Sequence, residues 1–78
     1  MKFKEGDIIV IVRQHRCFRY RYKGTLGKVI DVRTYHGSSP THYLVKFICY
    51  KIPHIYFIND IDYSCELYKI KYNERNRV

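Results

Sequence analysis

Tryptophan is absent from this 78-residue chain; methionine occurs once, proline twice and glycine four times. So little proline and glycine excludes collagen-like and low-complexity architectures. Cysteine is scarce and odd in number: Cys17, Cys49 and Cys65 lie 32 and 16 residues apart with no Cys-x-x-Cys pair. That excludes the even disulfide framework of a small secreted domain, and reduced thiols acting as small buried or half-buried hydrophobes are expected. The longest aliphatic run, Ile8 to Val12, is five residues, against roughly 20 for a membrane-spanning helix. The opening Met1-Lys2-Phe3-Lys4-Glu5-Gly6-Asp7 carries no apolar core and no small-residue cleavage site, so a secretory signal is not expected. No window keeps helical i, i+3, i+4, i+7 spacing over three turns, and neither a repeat nor an amphipathic membrane helix is visible. The expectation is a soluble cytoplasmic protein in a reducing compartment. Acids are also few, seven Asp and Glu against 15 Lys and Arg, for a net charge of +8. An excess of that size favours an anionic partner.

What is present is apolar and β-forming. The chain is 46% hydrophobic and 17% aromatic, too apolar for a disordered tail. At this length it forms one domain, expected over residues 1–72, with a polar tail over 73–78 that frays. Ile8-Ile9-Val10-Ile11-Val12 is β-branched throughout and follows a Gly-Asp turn; it reads as a strand buried on both faces. Gly24-Thr25-Leu26-Gly27 reads as a glycine-bracketed turn leading into a second strand, Lys28 to Arg33. Gly37-Ser38-Ser39-Pro40 marks a loop. Tyr43 to Ile48 is a third strand, with Tyr43, Val45 and Phe47 on one face and Lys46 on the other. Ile55 to Ile58 is a fourth, beginning after Pro53. Asn59-Asp60-Ile61-Asp62 reads as a turn or a single 3₁₀ turn, and Leu67 to Tyr72 as a fifth strand. Five short strands with glycine-containing turns predict an all-β fold, a small five-stranded antiparallel barrel.

The order of motifs resembles an SH3-like barrel: Gly6-Asp7-x-Ile9-x-Ile11, then Gly24-x-x-Gly27-x-Val29-x-x-Val32, Tyr43-x-Val45-x-Phe47 and Glu66-Leu67. The Gly-Asp opening and the Gly-x-x-Gly-x-Val strand are similar to those of KOW-type domains, which implies RNA or DNA binding. The connection Arg13 to Lys23 is longer than KOW domains usually carry. In this respect the layout resembles the small SH3-like subunits that dock ferredoxin in photosystem I and in ferredoxin–thioredoxin reductase. Ile55-Tyr56 and Glu66-Leu67 resemble, in outline, segments of the plasmid-borne type II dihydrofolate reductase. The basic segments of this chain argue against the tetrameric pore that such an activity would require. The resemblance spans roughly residues 3 to 70 and implies the barrel; its use has to come from residues.

The segment Arg13-Gln14-His15-Arg16-Cys17-Phe18-Arg19-Tyr20-Arg21-Tyr22-Lys23 is the richest in chemistry. Five bases fall in eleven residues, and no acid occurs between Asp7 and Asp31. If it is extended, Phe18, Tyr20 and Tyr22 turn to one side and Arg19, Arg21 and Lys23 to the other. Bases could then follow phosphates while rings stack on nucleobases. The same pattern also arises when the rings face a core and the bases form its solvated side. Lys28 and Arg33 extend the positive stretch to seven bases against one acid over residues 13 to 33. The candidate nucleic-acid-binding residues are therefore Arg13, Arg16, Phe18, Arg19, Tyr20, Arg21, Tyr22, Lys23, Lys28 and Arg33. Asp60, Asp62 and Glu66 lie apart from them and read as turn and cap chemistry. Tyr20, Tyr22, Tyr35, Tyr43, Tyr50, Tyr56, Tyr63, Tyr68 and Tyr72 are too many for so small a core, so some should be exposed on a partner surface.

Enzymatic readings find little support. His15-x-Cys17 lacks an orienting third group. His15, Cys17, His36, His42 and His54 lack the paired spacing of zinc sites. Gly24-Thr25-Leu26-Gly27-Lys28 lacks the phosphate-loop spacing. The expectation is a non-enzymatic module without metal, cofactor or small-molecule substrate, binding nucleic acid through its backbone. A phage accessory protein or a small transcription- or translation-associated factor would suit the size and the Tyr, Ile, Lys and Asn bias. The alternative is a docking or inhibitory module that holds an acidic protein.

Overall fold

A computed structural model describes residues 1–15, 23–35 and 37–69. Five strands and one short helix follow in the order β1 (Ile8–Ile11), β2 (Leu26–Arg33), β3 (His42–Phe47), β4 (His54–Phe57), α1 (Ile58–Ser64) and β5 (Cys65–Leu67). All strand pairs are antiparallel, in the order β4-β3-β2-β1-β5. The all-β architecture expected from the sequence is the one observed. Among the described residues no helix is long and apolar enough to cross a membrane.

The sheet has to curl. Strands β4 and β5 form its two edges, which in a flat five-stranded sheet would stand about 19 Å apart, four spacings of about 4.8 Å. The connection between them is the seven-residue α1, about 10–12 Å long. A β-bulge between Val29 and Asp31 helps the bend by inserting one extra residue into β2. One core results, built from alternate residues: Ile9 and Ile11, Val29, the trio Tyr43, Val45 and Phe47, then Tyr56, with Phe3, Ile61 and Cys65 closing it.

Four sequence expectations change. β1 is buried on one face only: Ile9 and Ile11 are buried, whereas Ile8 is exposed and Val10 half-buried. A single-layer sheet has one core, so even a fully β-branched strand turns half its side chains outward. Gly27 belongs to β2 and not to a turn. It stands opposite Phe47 on one side and Ile9 on the other; a Cβ there would lie 2.6 and 2.9 Å from Phe47 ring carbons. Gly24, with φ +91°, is the turn glycine, its N–H donating to Ile11 O at 2.7 Å. Residues Asn59 to Asp62 sit in a helix, which so short a segment keeps only through tertiary contacts. The fifth strand is Cys65–Leu67; of the expected Leu67 to Tyr72, Tyr68 and Lys69 fall beyond it and residues 70–72 lie outside the described residues. Of the thiols, Cys65 is buried and Cys49 exposed; Cys17 lies outside the described residues.

The tie that holds α1 and the chain start to the sheet is the Tyr43 hydroxyl. Tyr43 is 0% exposed. Its O–H donates to Asp62 Oδ1 at 2.7 Å and accepts the Lys2 and Phe3 backbone N–H groups, both at 3.1 Å. Lys2 Nζ then donates to Asp62 O, Cys65 O and Glu66 Oε2 at 3.0, 2.9 and 2.7 Å. Asp62 and Glu66 are thus cross-links between distant segments, a more specific role than the turn and cap chemistry expected. Burial first, and the Asp62 hydrogen bond second, push the Tyr43 hydroxyl up to about 12 from its ordinary 10.0.

Two outcomes test this packing. Gly27→Ala should lower unfolding stability in urea by about 1–3 kcal/mol, because the buried Phe47 ring must shift. The folded chain keeps the Tyr43 proton to about pH 12, whereas the unfolded chain loses it near 10.0. Stability should therefore be fully present below pH 10 and fall as pH rises to about 12. Tyr43→Phe should cost about 1–3 kcal/mol at neutral pH by stranding the Lys2, Phe3 and Asp62 groups. It should also remove the Tyr43 share of the alkaline loss in denaturation curves taken between pH 8 and 12.

Candidate binding face

Because the core occupies one side of the sheet, the alternate residues of every strand form an outer face. On it Ile8 stands opposite Lys28, and Lys28 opposite Lys46. The Ile48 N–H donates to Leu26 O at 2.9 Å, extending the ladder beyond the end of β3. Ile8, Leu26, Lys28, Lys46 and Ile48 line a shallow groove of about 300 Å³. Ile48 is 73% exposed. Lys46 Nζ donates to Phe47 O at 3.1 Å; among the described residues the Lys28 ammonium has neither a hydrogen bond nor an ion pair. Two ammonium groups directly across a strand pair repel each other, and no carboxylate shares their row.

At the other end of the same face three rings form a row. The Tyr35 and His42 rings meet edge-on with centroids 5.0 Å apart, and the His42 and Phe57 rings lie 4.5 Å apart at 35°. His42 pairs with Phe57 in register, and its Nδ1 lies 2.7 Å from Thr41 Oγ1, which sets the ring's orientation. Phe57 is 62% exposed. A second groove of about 320 Å³ runs beside it, lined by Pro40, Thr41, His42, Phe57, Ile58 and Asn59. Lys46 and His42 are four residues apart on β3, about 13 Å, so the cationic and aromatic ends lie on one surface.

Among the described residues, the sequence-predicted bases Arg13, Lys23, Lys28 and Arg33 do not converge. Lys28 lies in the outer row and Lys23 in the exposed turn before Gly24. Arg33 is at the aromatic end, its Nε 3.1 Å from Asp31 Oδ2; the Tyr35 hydroxyl and then this carboxylate favour its charged form. Arg13 faces a different element. Its guanidinium donates to Tyr63 O and lies 5.2 Å from the Tyr63 ring centroid, placing a cation at the α1 C-terminus, where the helix dipole favours one. Arg16, Phe18, Arg19, Tyr20, Arg21 and Tyr22 lie outside the described residues, as does Cys17. His15 Nε2 is 3.7 Å from Asp60 Oδ1.

Lys46 and Phe57 escaped sequence reasoning. The alternation of Tyr43, Val45 and Phe47 puts Lys46 on the outer face, but its pairing with Lys28 depends on register. Of the described tyrosines, Tyr35, Tyr63 and Tyr68 are exposed and Tyr43 and Tyr56 buried. Glu66, held below the usual carboxylate range by its hydrogen bond with Lys2, is already engaged at the far edge. The chain matches no family model, no curated protein and no solved structure.

Lys28→Glu converts the repelling cross-strand pair into an attracting one. It should raise stability by about 0.2–1 kcal/mol, and urea denaturation in 1 M salt should shrink the gain.

Proposed function

We propose that this protein is a small non-enzymatic binding module that holds nucleic acid through its phosphate backbone. The observation that carries the reading is the Lys28–Lys46 pair, two like charges directly across an exposed strand pair with no acid in their row. Such an arrangement costs folding energy in the free protein and is relieved when an anion sits between the ammonium groups. The net charge of +8 supplies the long-range attraction that brings a polyanion to this face. The all-β sheet is the architecture implied by the likeness of the Gly6-Asp7 and Gly24-x-x-Gly27-x-Val29 motifs to KOW-type domains, which bind RNA or DNA. Arg16, Arg19 and Arg21 belong to the same reading as further phosphate contacts, with Lys23 beside them in sequence.

A second reading is favoured by one feature, the apolar collar of Ile8, Leu26 and Ile48 around the lysines. An acidic protein whose carboxylates met the lysines while apolar side chains covered the collar would use the same surface.

Fluorescence anisotropy with labelled DNA and RNA at about 50 and 200 mM salt separates the two. Under the nucleic-acid reading, binding is micromolar or tighter at the lower salt and falls steeply at the higher. Lys28→Ala with Lys46→Ala should then flatten the log–log salt dependence by roughly 0.7–0.9 per lost phosphate contact. Absence of binding at low salt, from a chain this basic, would overturn it and leave the acidic-protein reading.

A further inference from the structure

We infer that the aromatic end of the face contacts nucleobases, so that the preferred ligand is single-stranded nucleic acid lying across the sheet from the lysine pair to Phe57. The inference rests on the nucleic-acid reading above and deepens it by naming the form recognised. The ring row and the lysine pair occupy one surface, about 13 Å apart along β3, a span that a few nucleotides cover. Phe57 is the outermost ring of the row, 62% exposed, and is backed by His42 at 4.5 Å. His42 is in turn oriented by Thr41 Oγ1 and abutted by the Tyr35 edge. A ring held from behind and open in front is a stacking platform that needs no reordering on binding.

The exposed Asn59 stands in the groove beside that platform. Among the described residues its amide makes no hydrogen bond, leaving a donor and an acceptor for the edge of a base. Base faces are buried within a duplex stack and available in a single strand. The rings therefore favour the single strand, whereas the lysines alone serve either form.

The test compares three probes at equal length and fixed salt: a single strand of roughly 12 nucleotides, the duplex of the same sequence, and the same strand with abasic sites. The variants are Phe57→Leu and Asn59→Ala. Both residues are exposed, so neither change disturbs the core, and urea denaturation checks that each variant is folded. The expected result is tighter binding of the single strand than of the duplex. Abasic substitution and Phe57→Leu should each weaken it by about 5-fold or more, and Phe57→Leu should have no further effect on the abasic strand. Asn59→Ala should weaken binding of the base-bearing strand alone. Equal or tighter duplex binding, or an abasic strand bound as well as the intact one, would overturn the base contact while leaving the phosphate contact standing. Failure of all three probes to bind would overturn the underlying reading as well.

Discussion

The Tyr43 hydroxyl is the point on which this small fold depends. It belongs to a buried residue near the start of β3, donates to Asp62 on α1 and accepts two backbone N–H groups from the chain start. Those hydrogen bonds join three segments at one buried atom, and the Lys2 ammonium ties two of them again through Asp62 O. A helix of seven residues is unstable alone, and of the chain start before β1 only the backbone of Gly6 and Asp7 reaches the sheet backbone, at Val29. Both are held where Phe3 and Ile61 can complete the core. Lys2 and Arg13 act in the same place, each bringing a cation to carbonyls near the C-terminal end of α1. Asp62 and Glu66 are thereby committed to internal ties, away from the row of Lys28 and Lys46.

A single core on one side of a single sheet is the second constraint. It makes half of every strand available to something else. The outward positions collect lysines and isoleucines at one end and rings at the other. Gly27 shows how tightly the inner side is filled: a methyl group there would overlap the Phe47 ring. Packing inside and openness outside are consequences of the same alternation.

The Lys28–Lys46 pair costs the free protein stability. A carboxylate at either position would suit the free protein better. Arg13 illustrates the contrasting case, a base whose guanidinium already has a carbonyl and a ring within the chain.

Much of the architecture was legible in the residues themselves. β-branched runs, turn residues and the alternation of Tyr43, Val45 and Phe47 marked four of the five strands to within a residue or two, because side-chain period and turn chemistry are local properties. A net positive charge and the absence of long apolar runs likewise follow from composition. What composition could not supply was anything that depends on which strand lies beside which. The bulge at Ile30 sets the register that places Lys46 against Lys28, and tertiary packing takes the apparent turn Asn59 to Asp62 into the helix Ile58–Ser64. Burial decides that Asp62 serves Tyr43. The row of Tyr35, His42 and Phe57 joins a loop to two strands and exists only once they pair. The sequence by itself determined a small basic β-domain with an inner and an outer set of side chains, since both follow from local pattern and charge. Only the tertiary structure decided which cations and rings share a surface, because that rests on contacts between residues far apart in the chain.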